Sequence, residues 1–226
     1  MMSDRVAGAS TVLPVVILIS GRGSNMRAIA ERAATGSLPV NIRAVICDKA
    51  DAEGLAVAKS LGLQTRVICA RDHANRDEYD LALADLVASF DPSLVVLAGF
   101  MRILTANFVD RFAGRILNIH PSLLPKYRGL HTHRRVLEAK ECEHGVSVHF
   151  VTLELDGGPV IIQSCIQVKP EDTEASLSAR VQRQEHSIYS QVIDWFARGR
   201  LTLLNGQPCL DGEPMSSPVF IDARGD

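Results

Sequence analysis

The stretch GRILNIHPSLLPKYRGLHTHRR, residues 114–135, decides how the rest of the chain is read. Arg115 to His120 is a mainly apolar run, as expected of a short buried strand. Side chains alternate along a strand, so Asn118 and His120 project to one face and Ile119 to the other. Pro121 cannot donate to a sheet ladder, and it biases His120 toward extended backbone. The strand therefore ends there, with an amide and an imidazole side by side near its C-terminal end. In an open α/β sheet that end is where ligands bind. A neutral hydrogen-bond donor beside a titratable ring suits chemistry at a carbonyl. The same pair would serve equally well to satisfy a loop.

Upstream of this stretch, strands and helices alternate. Pro14 to Ser20 reads as a strand, followed by a glycine loop, Ser20-Gly-Arg-Gly-Ser-Asn25, and a helix from Met26 to Ala34. A strand at Asn41–Cys47 ends at Asp48, and a helix over Ala52–Leu61 is closed by Gly62. A short strand at Thr65–Ile68 and a helix over Arg76–Phe90 come next. Leu94 to Ala98 is apolar throughout, as a strand buried on both faces should be. The loop Gly99–Leu104 and a helix over Thr105–Phe112 lead back to the central stretch. This alternation predicts an α/β fold, a doubly wound and mostly parallel sheet.

Downstream the pattern changes. Two strand-like runs, 145–155 and 160–168, flank the turn Asp156-Gly157-Gly158-Pro159 and predict an added antiparallel C-terminal hairpin. A long helix spans Asp172–Arg198, with Asp172, Thr173 and Glu174 suited to its N-terminus and Gly199 ending it. Leu201–Leu204 is a last strand. The expected organisation is a single domain over 12–205 with tails at 1–11 and 206–226, the second pinned at most by Val219-Phe220-Ile221.

Composition narrows the function. The chain has 226 residues, 46% of them apolar, and a formal net charge of −2. That balance gives no electrostatic case for nucleic acid as a partner. Its five cysteines are scattered and include no C-x-x-C pair, which argues against a disulfide framework and suits a reducing, cytoplasmic setting. The apolar run Val12–Ile19 is too short to span a membrane.

Several features carry possible chemistry, each beside a plainer reading. The glycine loop between strand and helix is suited to cradling a phosphate on backbone N–H groups, or it is only a tight turn. With Met26 where G-x-G-x-x-G has its third glycine, a monophosphate fits the loop better than a dinucleotide. The loop 99–104 is either core packing or the apolar wall of a pocket for a flat ligand. Asp156 is a good turn residue, or a carboxylate partner that orients an imidazole and favours its charged form. Histidines at 120, 131, 133, 144 and 149 lack metal-ligand spacing, so no metal is expected. His131 and His133 are expected to hydrogen-bond around a helix start.

Taken together, Ser20-Gly-Arg-Gly-Ser-Asn25, Val96-Leu-Ala-Gly-Phe-Met-Arg-Ile-Leu104 and Asn118-Ile-His-Pro-Ser-Leu-Leu-Pro125 with Tyr127, Gly129 and His131-Thr-His133 resemble the phosphoribosylglycinamide formyltransferases. Gly145-x-Ser147-x-His149, Leu155-Asp-Gly-Gly158 and Gln184-Glu-His186 extend the resemblance over roughly residues 14–204. It implies formyl transfer from the co-substrate 10-formyltetrahydrofolate to the amine of glycinamide ribonucleotide, in de novo purine biosynthesis, without a metal. It implies Asn118, His120 and Asp156 as the catalytic set, with Asp156 tuning His120. Gly23, Ser24 and Asn25 would hold the nucleotide phosphate with help from Gln182, and Glu185 would hold the ribose hydroxyls. Arg76, Met101, Arg102, Ile103, Leu104 and Glu154 would line the folate site.

The partners expected are therefore small molecules, with no nucleic acid or membrane, and the chain acts as a monomer or homodimer. The rival readings are a formyltransferase acting on another amine such as initiator methionyl-tRNA, a formyltetrahydrofolate hydrolase, and a non-catalytic nucleotide-binding module.

Overall fold

The computed structural model describes residues 12–225. The expected N-terminal tail, 1–11, lies outside them. The first five strands are β1 (Leu13–Ile19), β2 (Val40–Cys47), β3 (Thr65–Val67), β4 (Leu94–Leu97) and β5 (Ile116–His120). The helices among and after them are α1 (Ser24–Ala34), α2 (Glu53–Ser60), α3 (Arg76–Ala88), α4 (Ala106–Arg111) and α5 (Thr132–Glu138). Then come β6 (Glu143–Phe150), β7 (Val160–Gln167), α6 (Glu174–Ala197), β8 (Leu201–Leu204), β9 (Gln207–Leu210), β10 (Glu213–Pro214) and β11 (Val219–Asp222).

Eight strands form one sheet in the order β11-β7-β6-β5-β4-β1-β2-β3. From β3 to β5 all neighbours are parallel. Successive strands first build outward from β1 through β2 to β3, then the chain crosses over and builds the other way through β4 and β5. The crevice beyond the C-terminal ends of β1 and β4 is thus a topological switch point, the favoured ligand position in such sheets. β6 and β7 add antiparallel, as the hairpin reading expected.

The sheet is buried on both faces. Alternating residues of β1 divide between two cores: Val15, Ile17 and Ile19 pack with α1 and α6, while Val16 and Leu18 pack with α3 and α4. This is why β1 reads as a continuous apolar run and not as an alternating one. α6 begins with a capping box, in which Thr173 and Ser176 satisfy each other's backbone N–H groups. Close approach shapes the glycine loop. Gly23 is left-handed at φ +73°, and a Cβ on Gly54 would lie 2.7 Å from the Gly21 carbonyl oxygen. Bare glycine lets the first turn of α2 donate its Gly54 N–H to that same oxygen, at 2.9 Å.

Two expectations need correction. The residues after 205 are not a plain tail. β9 and β10 extend β8 into a small antiparallel sheet, and β11 joins the edge of the main sheet in parallel with β7. These strands are only two to four residues long, too short for a periodic apolar signal. The hairpin connection is also longer than the four-residue turn expected. β6 ends at Phe150, and 151–159 form an open loop in which Asp156 takes a left-handed φ of 47°.

Candidate active site

The site is assembled from the loops after the parallel strands β1, β4 and β5, from the loop after the antiparallel β6 and from the first half of α6. β5 supplies Asn118 and His120 on one face, and β6 runs antiparallel beside it with His149 directly opposite Asn118. Asn118 Nδ2 lies 3.1 Å from His149 Nε2. The loop after β6 carries Asp156 back over this strand end. Its Oδ2 stands 3.4 Å from His120 Nδ1, and its Oδ1 3.8 Å from His149 Nε2. The Gly129 backbone N–H donates to Asp156 Oδ2 at 2.9 Å, which ties the β6–β7 loop to the loop following β5.

His120 is 6% exposed, and its two nitrogens have different fates. Nε2 lies 2.9 Å from the carbonyl oxygen of Tyr127. A carbonyl can only accept, so Nε2 carries a proton and is committed to the backbone. Nδ1 faces Asp156. His149 is pushed below the ordinary imidazole pKa, first by burial, against the raising influence of the Phe150 carbonyl and of Asp156. Its ring is therefore neutral at pH 7.

A narrow cleft of about 80 Å³ adjoins Asn118 and Asp156. Phe100, Ile103, Leu104, Val151, Leu153 and Leu155 make most of its wall apolar, and Arg102 and Glu154 reach it too. Arg102 stacks 4.7 Å from the Tyr79 ring centre and pairs with Asp48 at 3.5 Å. Glu154 is ion-paired with Arg128. Arg76 does not line this cleft. It donates twice to the Ile103 carbonyl, at 2.7 and 3.1 Å, and so braces the loop after β4. Met101 is 63% exposed at the same loop. An apolar slot of this kind suits a flat ring.

The glycine loop faces α6. Gln182 Nε2 donates to Ser24 Oγ at 2.9 Å, and Asn25 Nδ2 donates to Glu185 Oε2 at 2.7 Å. Burial raises the pKa of Glu185, and the Asn25 hydrogen bond works against that rise. Gly23, Ser24, Asn25, Gln182 and Glu185 are thus gathered across the α1–α6 contact by hydrogen bonds that span 158 and 160 positions of the chain.

Of the two histidines expected to hydrogen-bond around the start of α5, His133 does so and His131 gives no cap. His131 takes a left-handed φ of 58°. His133 Nδ1 pairs with His144 Nε2 at 2.9 Å. Among the described residues, no three His, Cys, Asp or Glu side chains gather as metal ligands. Sequence reasoning gave no role to His149, the Tyr127 carbonyl or the Gly129 N–H. For His149 a signal existed, since it lies on an alternating strand and in the same short motif as Ser147.

A half-buried amide and a carboxylate-backed imidazole, beside an apolar slot and a phosphate-type loop, define an enzyme for transfer chemistry at a carbonyl. The formyl transferase family model matches residues 13–193, and the chain belongs to that family. It is 52% identical over 199 residues to phosphoribosylglycinamide formyltransferase of Escherichia coli K12, covering 88% of this chain and 94% of that one. It is 41% identical over 196 residues to the human trifunctional purine biosynthetic protein adenosine-3, covering 86% of this chain and 19% of that one. The structure of phosphoribosylglycinamide formyltransferase from Coxiella burnetii superposes with a TM-score of 0.88 at 48% identity, covering 92% of this chain and 99% of that one.

Proposed function

We propose that the chain is a formyltransferase of purine biosynthesis that moves the formyl group of 10-formyltetrahydrofolate to the amine of glycinamide ribonucleotide. The observation that carries this reading is the convergence of Asn118, His120 and Asp156 in a chain that is 52% identical to a phosphoribosylglycinamide formyltransferase. No described helix is long and apolar enough to cross a membrane, and the reading puts the reaction in the cytoplasm.

In this reading the reaction is direct acyl transfer between two nitrogens. The amine of the nucleotide attacks the formyl carbon and leaves negative charge on the formyl oxygen. Asn118 donates an amide N–H to that oxygen. His120, with Nε2 held by Tyr127, donates from Nδ1 and passes that proton to the folate nitrogen as the bond from the formyl carbon to that nitrogen breaks; the proton shed by the attacking amine restores the ring. Asp156 holds the ring and balances its charge while Nδ1 is protonated. One oxyanion donor of this kind is worth roughly 10²–10³ in rate. Ile103, Leu104, Arg102 and Glu154 would hold the folate co-substrate. Gly23, Ser24, Asn25 and Gln182 would hold the nucleotide phosphate, and Glu185 the ribose. Arg76 would act through the loop it braces, and Met101 at the outer rim.

The test is a spectroscopic assay of the purified protein with a 10-formyl folate, with and without glycinamide ribonucleotide. Deformylation that depends on the nucleotide is the expected result. Release of formate without it would overturn the reading in favour of a hydrolase, and no reaction in either case would favour another acceptor or a binding module.

A further inference from the structure

We infer that His149 is a positioning residue for the transfer reaction: its neutral ring fixes which way the Asn118 amide faces. The inference rests on the functional reading above, in which Asn118 is the oxyanion donor. Asn118 and His149 are cross-strand partners in the β5–β6 register, so their side chains stand on the same face of the sheet. His149 Nδ1 lies 2.8 Å from the Phe150 carbonyl oxygen. That oxygen can only accept, so Nδ1 carries the ring's proton and Nε2 presents a lone pair. At 3.1 Å from that lone pair, Asn118 Nδ2 gives it one of its two amide protons.

The consequence lies with the second amide proton. The two ends of an asparagine amide are nearly identical in shape, so packing alone does not choose between them. Electrostatics does. Turned over, Asn118 would set Oδ1 against the Nε2 lone pair. With His149 neutral and 2% exposed, only one orientation is satisfied, and it leaves the other Nδ2 proton free for the reacting oxygen. A protonated His149 would reverse the preference, because Nε2–H would then seek Oδ1. The charged and titratable groups facing the ring are Asp156 (3.8 Å), His120 and Arg128. Burial of the ring, with His120 and Arg128 acting the same way, keeps it neutral against the raising influence of the Phe150 carbonyl and Asp156.

The experiment compares wild type, His149→Leu, His149→Gln, Asn118→Ala and the double variant Asn118→Ala/His149→Leu in steady-state formyl transfer. Leu fills a similar volume without a polar atom, while Gln places an amide oxygen where Nε2 stood. With His149→Leu, kcat should fall about 10- to 100-fold, part of the value of an oxyanion donor, with both KM values within about twofold. His149→Gln should recover about tenfold of that loss, and the double variant should be no slower than Asn118→Ala, because the two residues act as one unit. A merely structural histidine would lower thermal stability without this coupling.

An active wild type with His149→Leu within about threefold of its kcat, or a loss that multiplies fully with that of Asn118→Ala, overturns the inference alone. A wild type without formyl transfer overturns the functional reading and the inference with it. If His149→Leu does not fold by circular dichroism, His149→Asn takes its place. It keeps a partner for the Phe150 carbonyl but ends short of Asn118, so the same loss is expected and wild-type kcat overturns the inference.

Discussion

Nδ1 of His120 and Oδ2 of Asp156 stand 3.4 Å apart, and both side chains are less than a tenth exposed. The pair is built from two separate elements, β5 and the loop after β6, and the Gly129 N–H holds the carboxylate in place. Asp156→Asn would keep the shape and an oxygen for Gly129, but nothing to balance a charged ring. Its kcat should fall about 100-fold or more, within the range usual for general acid–base groups, with substrate affinities retained. Steady-state kinetics against calorimetric binding separates the two; a raised Kd with normal kcat would show that Asp156 shapes the pocket instead.

Removing either donor directly should be as severe. Asn118→Ala and His120→Ala should each fold, still bind the nucleotide, and lose roughly 10²–10³ in turnover. Near-wild-type turnover in either variant would take that residue out of the mechanism.

The pairing of Asn25 with Glu185 bears on the nucleotide. If the Glu185 carboxylate receives ribose hydroxyls, Glu185→Gln should raise the nucleotide KM about tenfold, the scale of one hydrogen bond to a charged group, and leave kcat nearly unchanged. An unaltered KM would assign Glu185 to bracing α1 against α6.

Acid should destabilise the fold through the His133–His144 pair. Burial pushes His144 down to about 3, with His133 and His120 adding to the effect. An imidazole lowered in this way binds its proton more readily when unfolded. Its contribution to stability is fully present above about pH 6.5 and is lost as pH falls toward 3. His144→Gln, which still offers His133 a hydrogen bond, should therefore flatten the fall of Tm with acidification across that window. An unchanged slope would place the acid sensitivity elsewhere.

Tyr189 gives a stability test near the site. Its buried hydroxyl lies 3.0 Å from the Leu97 carbonyl and 2.9 Å from that of Leu117, so α6 is tied to the ends of β4 and β5. Tyr189→Phe leaves both carbonyls without that donor and should cost about 1–2 kcal/mol. Calorimetry would read this as a Tm lower by about 2–8 °C at this chain length.

Much of this architecture is legible in the sequence because its strands are apolar on both faces and its helices are punctuated by glycine. Leu94–Leu97 and Leu201–Leu204 are plain as strands. The candidate site divides differently. Asn118 and His120 share one strand face by the two-residue period alone, but the approach of Asp156 depends on how a nine-residue loop folds back. Ser24 and Gln182 are 158 positions apart, and no local pattern records their meeting. His149 needed the β5–β6 register, which sequence alternation narrows but does not fix. β9 and β10 left no signal, and Val219-Phe220-Ile221, expected at most to pin the tail, forms a strand only against β7.

That dependence has a consequence for biosynthesis. β7 is made more than fifty residues before its outer neighbour β11, yet the two are adjacent in the finished sheet. While the chain is still on the ribosome, the outer edge of β7 stays open, with a row of unpaired backbone groups exposed to other chains. Closure waits for the arrival of residues 219–222. A short C-terminal deletion should therefore act first on yield and aggregation during expression, before any effect on the chemistry at the opposite side of β6 is felt.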